Sequence, residues 1–361
     1  MKKTVLASAI AAATFSGAAF AQESNMPTVY GNIQYAVTHS DIQGGPSSIE
    51  HRDNGSTIGI KHDHEIMPGV SGFFKAELEF DADQKDGNNG LDAFDEAYIG
   101  VDSDSFGKIW IGSDDSTYER AIDEIANYYE AADLSIAGSY DTGEGDLIQY
   151  ATPSFGGFQL HAAVQVNGDG DNGKKSYPYQ LAATYNVDAL ELAVAMDSND
   201  GSLGYSKDGI DGLEVDNGEV VPNEVDSEDS FNNENTYGLR ASYNMGDLRL
   251  TGQYQTRKDV VDQFGVFAGY TIGANRFAVS YEMAQYDEEF TRTGEGSLDR
   301  ETVTLQALHN LSDNMYVYAE GYFGGGDDVY KYEDASGNNA YSNESTVAAV
   351  GAVYYLSLIH I

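Results

Sequence analysis

Cysteine is missing from this sequence of 361 residues, and proline and tryptophan are scarce. Without cysteine, no disulfide can stabilise the chain, so a large core or a closed sheet must do so. Only 6 prolines occur beside 40 glycines and 26 tyrosines. This composition favours the closed sheet, because proline cannot donate to a strand ladder.

Basic residues are few: 19 Lys and Arg stand against 59 Asp and Glu, for a net charge of −40. Such a charge excludes nucleic acid, acidic polymers and bare anionic membranes as partners, and it concentrates cations near the protein. It also indicates a salty habitat, in which dissolved ions screen the self-repulsion.

The N-terminus predicts export. Lys2 and Lys3 precede a short apolar run over 4–13, and Ala19 and Ala21 mark a small-x-small cleavage site. We therefore predict a signal peptide over 1–21 and a mature chain that starts at Gln22. The run is too short to span a membrane, and no later stretch approaches about 18 uninterrupted apolar residues, which excludes a helical inner-membrane protein.

Sixteen segments show the alternation of polar and apolar residues that is typical of β-strands. Short turns alternate strictly with long polar loops between these segments, which gives eight hairpins. The predicted strands cover 28–39, 56–66, 70–81, 97–101, 108–112, 147–153, 158–164, 177–185, 189–196, 236–243, 248–255, 261–271, 276–283, 301–309, 315–323 and 345–355.

The two faces of these strands indicate the fold class. One face is rich in Tyr, Phe, Val and Leu, and the other carries Lys, Arg, Glu and Gln. In a closed transmembrane barrel the first face meets lipid and the second meets a wet lumen, and closure pairs every backbone group. We predict an all-β, antiparallel 16-stranded barrel over 22–355; the alternative is a secreted all-β protein.

A long acidic segment, 113–145, interrupts the strands and shows no alternation. It carries nine acidic residues against Arg120 alone. A loop of this length in a sheet protein is usually functional or disordered. We predict that it folds inward as the constriction of the pore, with a short helix within 117–132. The candidate constriction residues are Asp114, Asp115, Glu119, Asp123, Glu124, Glu130 and Asp133, with Lys61 and Lys75 on the wall.

Several stretches resemble the general porins of Gram-negative bacteria. They are 29–35 (VYGNIQY), 57–61 (TIGIK), 97–101 (AYIGV), 106–112 (FGKIWIG) and 147–158 (LIQYATPSFGGF). The resemblance covers almost the whole mature chain. It implies a homotrimer in the outer membrane, surrounded by lipid and lipopolysaccharide, with the third outer loop folded into the pore. It also implies passage of small hydrophilic solutes without cofactor, metal or catalytic residues.

The chain departs from that family where arginines commonly line the pore. Thr57, Ser113, Gly143 and Gln149 stand at or near such positions. With acids on the loop and fewer cations on the wall, the resemblance implies a net negative potential and strong cation selectivity.

The C-terminus departs too, because such barrels normally end in an aromatic residue. Here residues 356–361 (LSLIHI) follow Tyr355 and resemble the translation of a sequencing adapter. We predict that Tyr355 is the last native residue and that 356–361 are a non-native tail.

Other interpretations stay open. His62 and His64 lie on one strand face, as in a zinc site, although a solvated rim is the simpler interpretation. Residues 167–173 resemble the start of a calcium loop, but Asn172 and Pro178 occupy two positions that such a loop needs for other residues. At the level of function, the alternatives are a substrate-specific porin for a sugar or a cationic nutrient, and an outer-membrane hydrolase.

Overall fold

The computed structural model describes residues 26–83, 94–136, 144–166, 177–198, 234–287 and 298–356, and the backbone of short strands within 205–232. One α-helix, α1 (Thr117–Ile122), is followed by a 3₁₀ turn at Ala126–Tyr128. The strands are β1 (Thr28–Ile42), β2 (Ser47–Asp53), β3 (Ser56–Met67), β4 (Val70–Phe80), β5 (Phe94–Ser103), β6 (Gly107–Ser113), β7 (Leu147–Ala151), β8 (Phe158–Gln165), β9 (Tyr179–Val187), β10 (Leu190–Asp197), β11 (Tyr205–Ser206), β12 (Ile210–Asp216), β13 (Glu219–Glu224), β14 (Phe231–Asn232), β15 (Thr236–Met245), β16 (Leu248–Arg257), β17 (Val261–Ile272), β18 (Asn275–Tyr286), β19 (Leu298–Ser312), β20 (Met315–Gly326), β21 (Tyr330–Glu333), β22 (Asn339–Ser342) and β23 (Ser345–Tyr355).

Sixteen antiparallel strands close into one barrel, which confirms the predicted fold class. β1 closes the barrel through its pairing with β23, from Asn32 opposite Tyr355 to Ile42 opposite Ser345. On its other edge, β1 pairs with β3 and then with β2. β2 and β3 therefore act as one barrel strand that is interrupted at Gly55, where φ is +91°. Closure leaves no free sheet edge.

The burial pattern of the strands is the reverse of that of a soluble protein. In β19 the polar residues Thr304 and Gln306 are buried, whereas Leu305 between them is 47% exposed. The same alternation recurs around the barrel, and the exposed face is dominated by large apolar side chains. The outer surface therefore suits hydrocarbon, and the inward face is polar.

The buried apolar residues come mainly from the segment between β6 and β7 and from the inward faces it covers. Tyr118 and Ile122 pack with Ala193 and Ala195 of β10. Further along, Leu134 packs with Tyr322 and other residues of the later strands. This segment therefore lies against the inward face of the wall.

Each predicted strand segment overlaps a barrel strand, but the loops contain more structure than the sequence indicated. β2 and the hairpin β21–β22 fall between predicted strands, and β11 to β14 lie between the predicted strands 189–196 and 236–243. The short helix expected within 117–132 is present as α1, which ends at Ile122. No described helix is long and apolar enough to cross a membrane.

Candidate functional site

The acidic loop, defined here as residues 114–136, begins with a capped helix. The Ser116 side chain accepts a hydrogen bond from the Glu119 amide at 2.9 Å, which satisfies a donor in the first turn of α1. After the 3₁₀ turn, the chain bends at Ala132 and Leu134, which adopt φ of 44° and 60°. These turns lead the loop back along the inward face of the barrel.

Two glycines of the wall make room for the loop. A Cβ at Gly238 of β15 would lie 2.6 Å from Ile122, and one at Gly265 of β17 would lie 2.8 Å from Ile125. Both distances are far below van der Waals contact. The loop therefore packs directly on the backbone of these strands.

Glu124 lies between two arginines that sequence reasoning did not single out. Its carboxylate accepts hydrogen bonds from Arg249 at 2.6 and 2.7 Å, and it is also paired with Arg240. Thr251 donates to it at 2.6 Å. Burial by itself would raise the pKa of Glu124, but these partners outweigh burial and lower the pKa to about 2. Glu124 is therefore ionised throughout the physiological pH range.

The far end of the loop is fixed by a second set of wall residues. Nη2 of Arg52 donates to both carboxylate oxygens of Asp133, at 2.7 and 2.8 Å. The Leu134 carbonyl accepts from Arg300 at 3.1 Å and from Thr302 at 2.8 Å. These bonds join the loop to β2 and β19, on different parts of the wall.

Glu130 has a different environment, because its nearest charged neighbour is another carboxylate. Its amide donates to Glu320 at 2.8 Å, and its side chain accepts from the Tyr316 hydroxyl at 2.8 Å. Burial first, and then the charge of Glu320, raise the pKa of Glu130 to about 8. Glu130 therefore binds a proton near neutral pH, where Glu124 does not.

Acidic side chains gather where the loop leaves β6. The carboxylates of Glu96, Asp114 and Asp115 lie within 4.8 Å of one another, as do those of Glu77, Asp95 and Glu96. Two basic residues face this acidic cluster: Lys75 pairs with Glu96 and Glu77, and Arg120 pairs with Asp114 at 2.6 Å. Burial, followed by the charges of Glu96 and Asp114, raises the pKa of Asp115 to about 7.

The remaining predicted residues are placed as follows. Glu119 and Asp123 are buried, and Asp123 accepts from Gln255 of β16 at 2.8 Å. Lys61 and Lys75 both lie over the ring of Tyr30, at 5.1 and 5.8 Å from its centroid. The rings of His62 and His64 stack 5.5 Å apart. Asp141, Gly143 and residues 167–173 lie outside the described residues.

Sequence reasoning missed the arginines that meet the loop. Arg240 and Arg249 occupy neighbouring strands, and strand alternation alone would have assigned Arg249 to the lumen face. Which acid each one meets depends on the path of the loop, since more than a hundred residues separate Glu124 from these strands. No local pattern in one sequence reports that path.

Comparisons with known proteins agree with this architecture. The family of Gram-negative porins matches residues 7–329. Two relatives, named a monosaccharide porin from Halomonas sp and a major outer membrane protein from Halomonas elongata, are each 27% identical over 382 residues, covering 94% of this chain and 97% of theirs.

Solved structures show the same fold at lower identity. An anion-selective porin from Comamonas acidovorans is 16% identical with a TM-score of 0.66, covering 92% of this chain and 99% of that one. OmpF of Salmonella typhi, in complex with daunomycin, is 18% identical with a TM-score of 0.68, covering 91% and 97%. The chain belongs to the family of Gram-negative porins, which are outer-membrane channels and not enzymes.

Proposed function

We propose that the chain is a passive diffusion channel for small hydrophilic solutes and ions, that the acidic loop narrows its pore, and that the pore favours cations. The observation that carries the cation preference is the acidic cluster. Five carboxylates, those of Glu77, Asp95, Glu96, Asp114 and Asp115, face the two cations Lys75 and Arg120. With all five ionised, five negative charges against two positive ones leave a net charge of −3, which becomes −2 when Asp115, whose pKa is raised to about 7, is protonated.

The opposite wall contributes little net charge. Arg240 and Arg249 face Glu124 and Glu191, so two cations balance two carboxylates. Gln149, where the family resemblance implies an arginine, is a buried neutral amide that donates to Asp114 at 3.3 Å. A charge imbalance in the described lumen therefore lies beside β4 to β6, where it attracts cations to the passage.

Ion selectivity in a planar bilayer tests this proposal. Across a potassium chloride gradient, we expect a reversal potential of the sign that cation permeation produces. Glu96→Gln should reduce that potential, whereas Asp313→Asn, on the turn between β19 and β20, should leave it unchanged. Chloride preference in the unchanged protein would contradict the cation assignment. The anion-selective structural neighbour shares the fold at 16% identity, so its selectivity does not carry over to this chain.

A second candidate is passage of monosaccharides, because one relative covering nearly the whole chain is named a monosaccharide porin. Liposome swelling with hexoses and with polyols of similar size separates the two candidates. Swelling that depends on solute size alone favours general diffusion. Saturation by one hexose, or block of ion conductance by it, favours a sugar-specific channel.

We also propose that residues 1–21 are removed during export and that three copies assemble in the membrane. One solved neighbour is described as a trimer form, which supports the second part. Intact mass of the protein purified from outer membranes should match a chain that begins at Gln22. Unheated samples should migrate as trimers on a denaturing gel and convert to monomers on boiling.

A further inference from the structure

An aromatic box lies on the inward wall of the barrel, close to the acidic cluster. Three side chains form it: Phe73 of β4, Tyr98 of β5 and Trp110 of β6. The ammonium nitrogen of Lys108 lies 4.5 Å from the ring centroid of Phe73, 4.6 Å from that of Trp110 and 6.0 Å from that of Tyr98. These distances are those of a cation held by aromatic faces.

Strand register brings the three rings together. Phe73 is opposite Gly100, and Gly100 is opposite Trp110, so a glycine separates the two rings across three strands. A Cβ at Gly100 would lie 2.4 Å from the ring of Phe73, which rests on this backbone. Ile99, the outward neighbour of Tyr98, is 61% exposed, which places the box on the opposite, lumen side.

The box holds its cation by aromatic faces and not by an ion pair. The Lys108 ammonium forms no ion pair with a described carboxylate, although Asp102 is its direct partner in register. The indole of Trp110 donates to Asp114 at 2.7 Å, which connects the box to the acidic cluster. The acidic cluster therefore gives the surroundings of the box a negative electrostatic potential. The lysine side chain that fills the box is long and flexible.

We propose that the aromatic box is a binding site for organic ammonium solutes, and that Lys108 is an internal occupant that such solutes displace. This inference rests on the proposed function, because the solute must enter the lumen. Exchange of one ammonium for another preserves the charge inside the box. A neutral sugar would not preserve that charge. It would also have to displace cations from the Trp110 ring, because Lys108 and Arg120 both lie over it, at 4.6 and 5.1 Å.

A quaternary ammonium is the ligand that fits best. Its methyl groups make it weakly hydrated, so aromatic faces replace its water at low cost, whereas a small inorganic cation keeps its hydration shell. The acidic cluster attracts the positive charge, and the rings provide the contact surface. The expected ligands are therefore choline-like solutes.

Trp110 is the only tryptophan of the chain, so intrinsic fluorescence reports directly on the box. We would titrate the detergent-solubilised, folded protein with choline and with its neutral analogue 3,3-dimethyl-1-butanol (dimethylbutanol below), in which a carbon replaces the charged nitrogen. Choline should change the emission saturably, and dimethylbutanol should not. In Lys108→Met, which empties the box, choline should bind at least roughly fivefold more tightly.

Lys61→Met is the matched control, because it removes one lumen lysine without altering the box. Its choline affinity should stay within about twofold of the unchanged protein. Tyr98→Leu combined with Lys108→Met should lose most of the gain. Heat-modifiable migration on a gel checks that each variant folds. If Lys108→Met does not fold, Lys108→Gln takes its place.

Equal responses to choline and dimethylbutanol in Lys108→Met, or no response to either, would overturn the inference. The bilayer reversal potential of the unchanged protein, measured on the same preparation, judges the proposed channel separately. A cation-selective pore that does not bind choline would support the proposed channel and would rule out the aromatic box as a binding site.

Discussion

Asp115 and Glu124 lie nine positions apart in the acidic loop and have opposite electrostatic environments. Two arginines surround Glu124 and lower its pKa to about 2, whereas burial and neighbouring carboxylates raise the pKa of Asp115 to about 7. The acids of one loop therefore divide into a permanent charge that binds the loop to the wall and a charge that depends on pH.

Asp115 contributes to the pH dependence of selectivity, together with Glu130, whose pKa is raised to about 8. The Asp115 carboxyl is protonated below its raised pKa and ionised above it, so the lumen gains negative charge as the pH rises through about 7. We expect the cation preference to increase between about pH 6 and about pH 8, measured as the reversal potential in a fixed salt gradient. Asp115→Asn should flatten this part of the profile. A profile that stays unchanged in the variant would assign the dependence to another group.

Removal of the permanent charge should have a different effect. Glu124→Gln leaves Arg240 and Arg249 with the more exposed Glu191 as their remaining carboxylate, so the cost should stay below the roughly 3–5 kcal/mol of a fully orphaned buried charge. We expect a lower unfolding temperature and a weaker cation preference at every pH. Glu234→Gln, which alters an exposed pair with Lys258, is the control and should change neither property. A Glu124 variant as stable as the unchanged protein would contradict a bracing role.

At the level of elements, the barrel wall and the acidic loop form one packed unit. Gly238 and Gly265 have no side chain, so Ile122 and Ile125 pack directly on the backbone of the wall. The two isoleucines belong to the apolar clusters on the inward face of the barrel. The later strands contribute Tyr322 and Tyr330 to the same packing. The loop is therefore held by shape as well as by charge.

A larger residue at Gly238 should displace the loop. In Gly238→Val, the new side chain would occupy the space of Ile122 and the Tyr118 hydroxyl, each 2.6 Å from the added Cβ. We expect a changed and noisier single-channel conductance, because the loop loses its packing contact with β15 while the barrel stays closed. Gly252→Val is the control, since no atom lies within 4 Å of a Cβ at that position in the neighbouring strand. Identical conductance of both variants would show that the loop does not depend on this contact.

The sequence predicted the elements better than it predicted their contacts. Strand alternation is a local property, so residues such as Leu305 and Gln306 reveal the face they occupy without knowledge of the fold. The same alternation predicted sixteen strands, and the barrel has sixteen, with β2 and β3 counted as one. The loop has no such period. Its short helix lies within the predicted segment, but the sequence did not indicate that it ends at Ile122, because wall contacts rather than helix propensity direct the chain beyond that point.

At the scale of the whole molecule, the site was only half visible in the sequence. The high density of acids in the loop was visible in the sequence, and Asp114, Asp115 and Glu124 do lie at the inward wall. Their partners were not, because Arg52 and Arg249 reach the loop from strands that are distant in the chain. A count of loop charges therefore overstates the field in the pore, because wall arginines neutralise acids such as Glu124 and Asp133.

The net charge of −40 remains, and most of it lies outside this site. Mutual repulsion among 59 acidic residues opposes the folded state, and dissolved ions screen it over about 10 Å at 0.1 M ionic strength. We expect the temperature at which the folded band disappears from an unheated gel to rise between about 0.05 M and 0.5 M sodium chloride. Sucrose at matched osmolality is the control, because it adds no ions. A temperature that falls with salt would mean that attractive pairs such as Arg52 with Asp133 outweigh the repulsion.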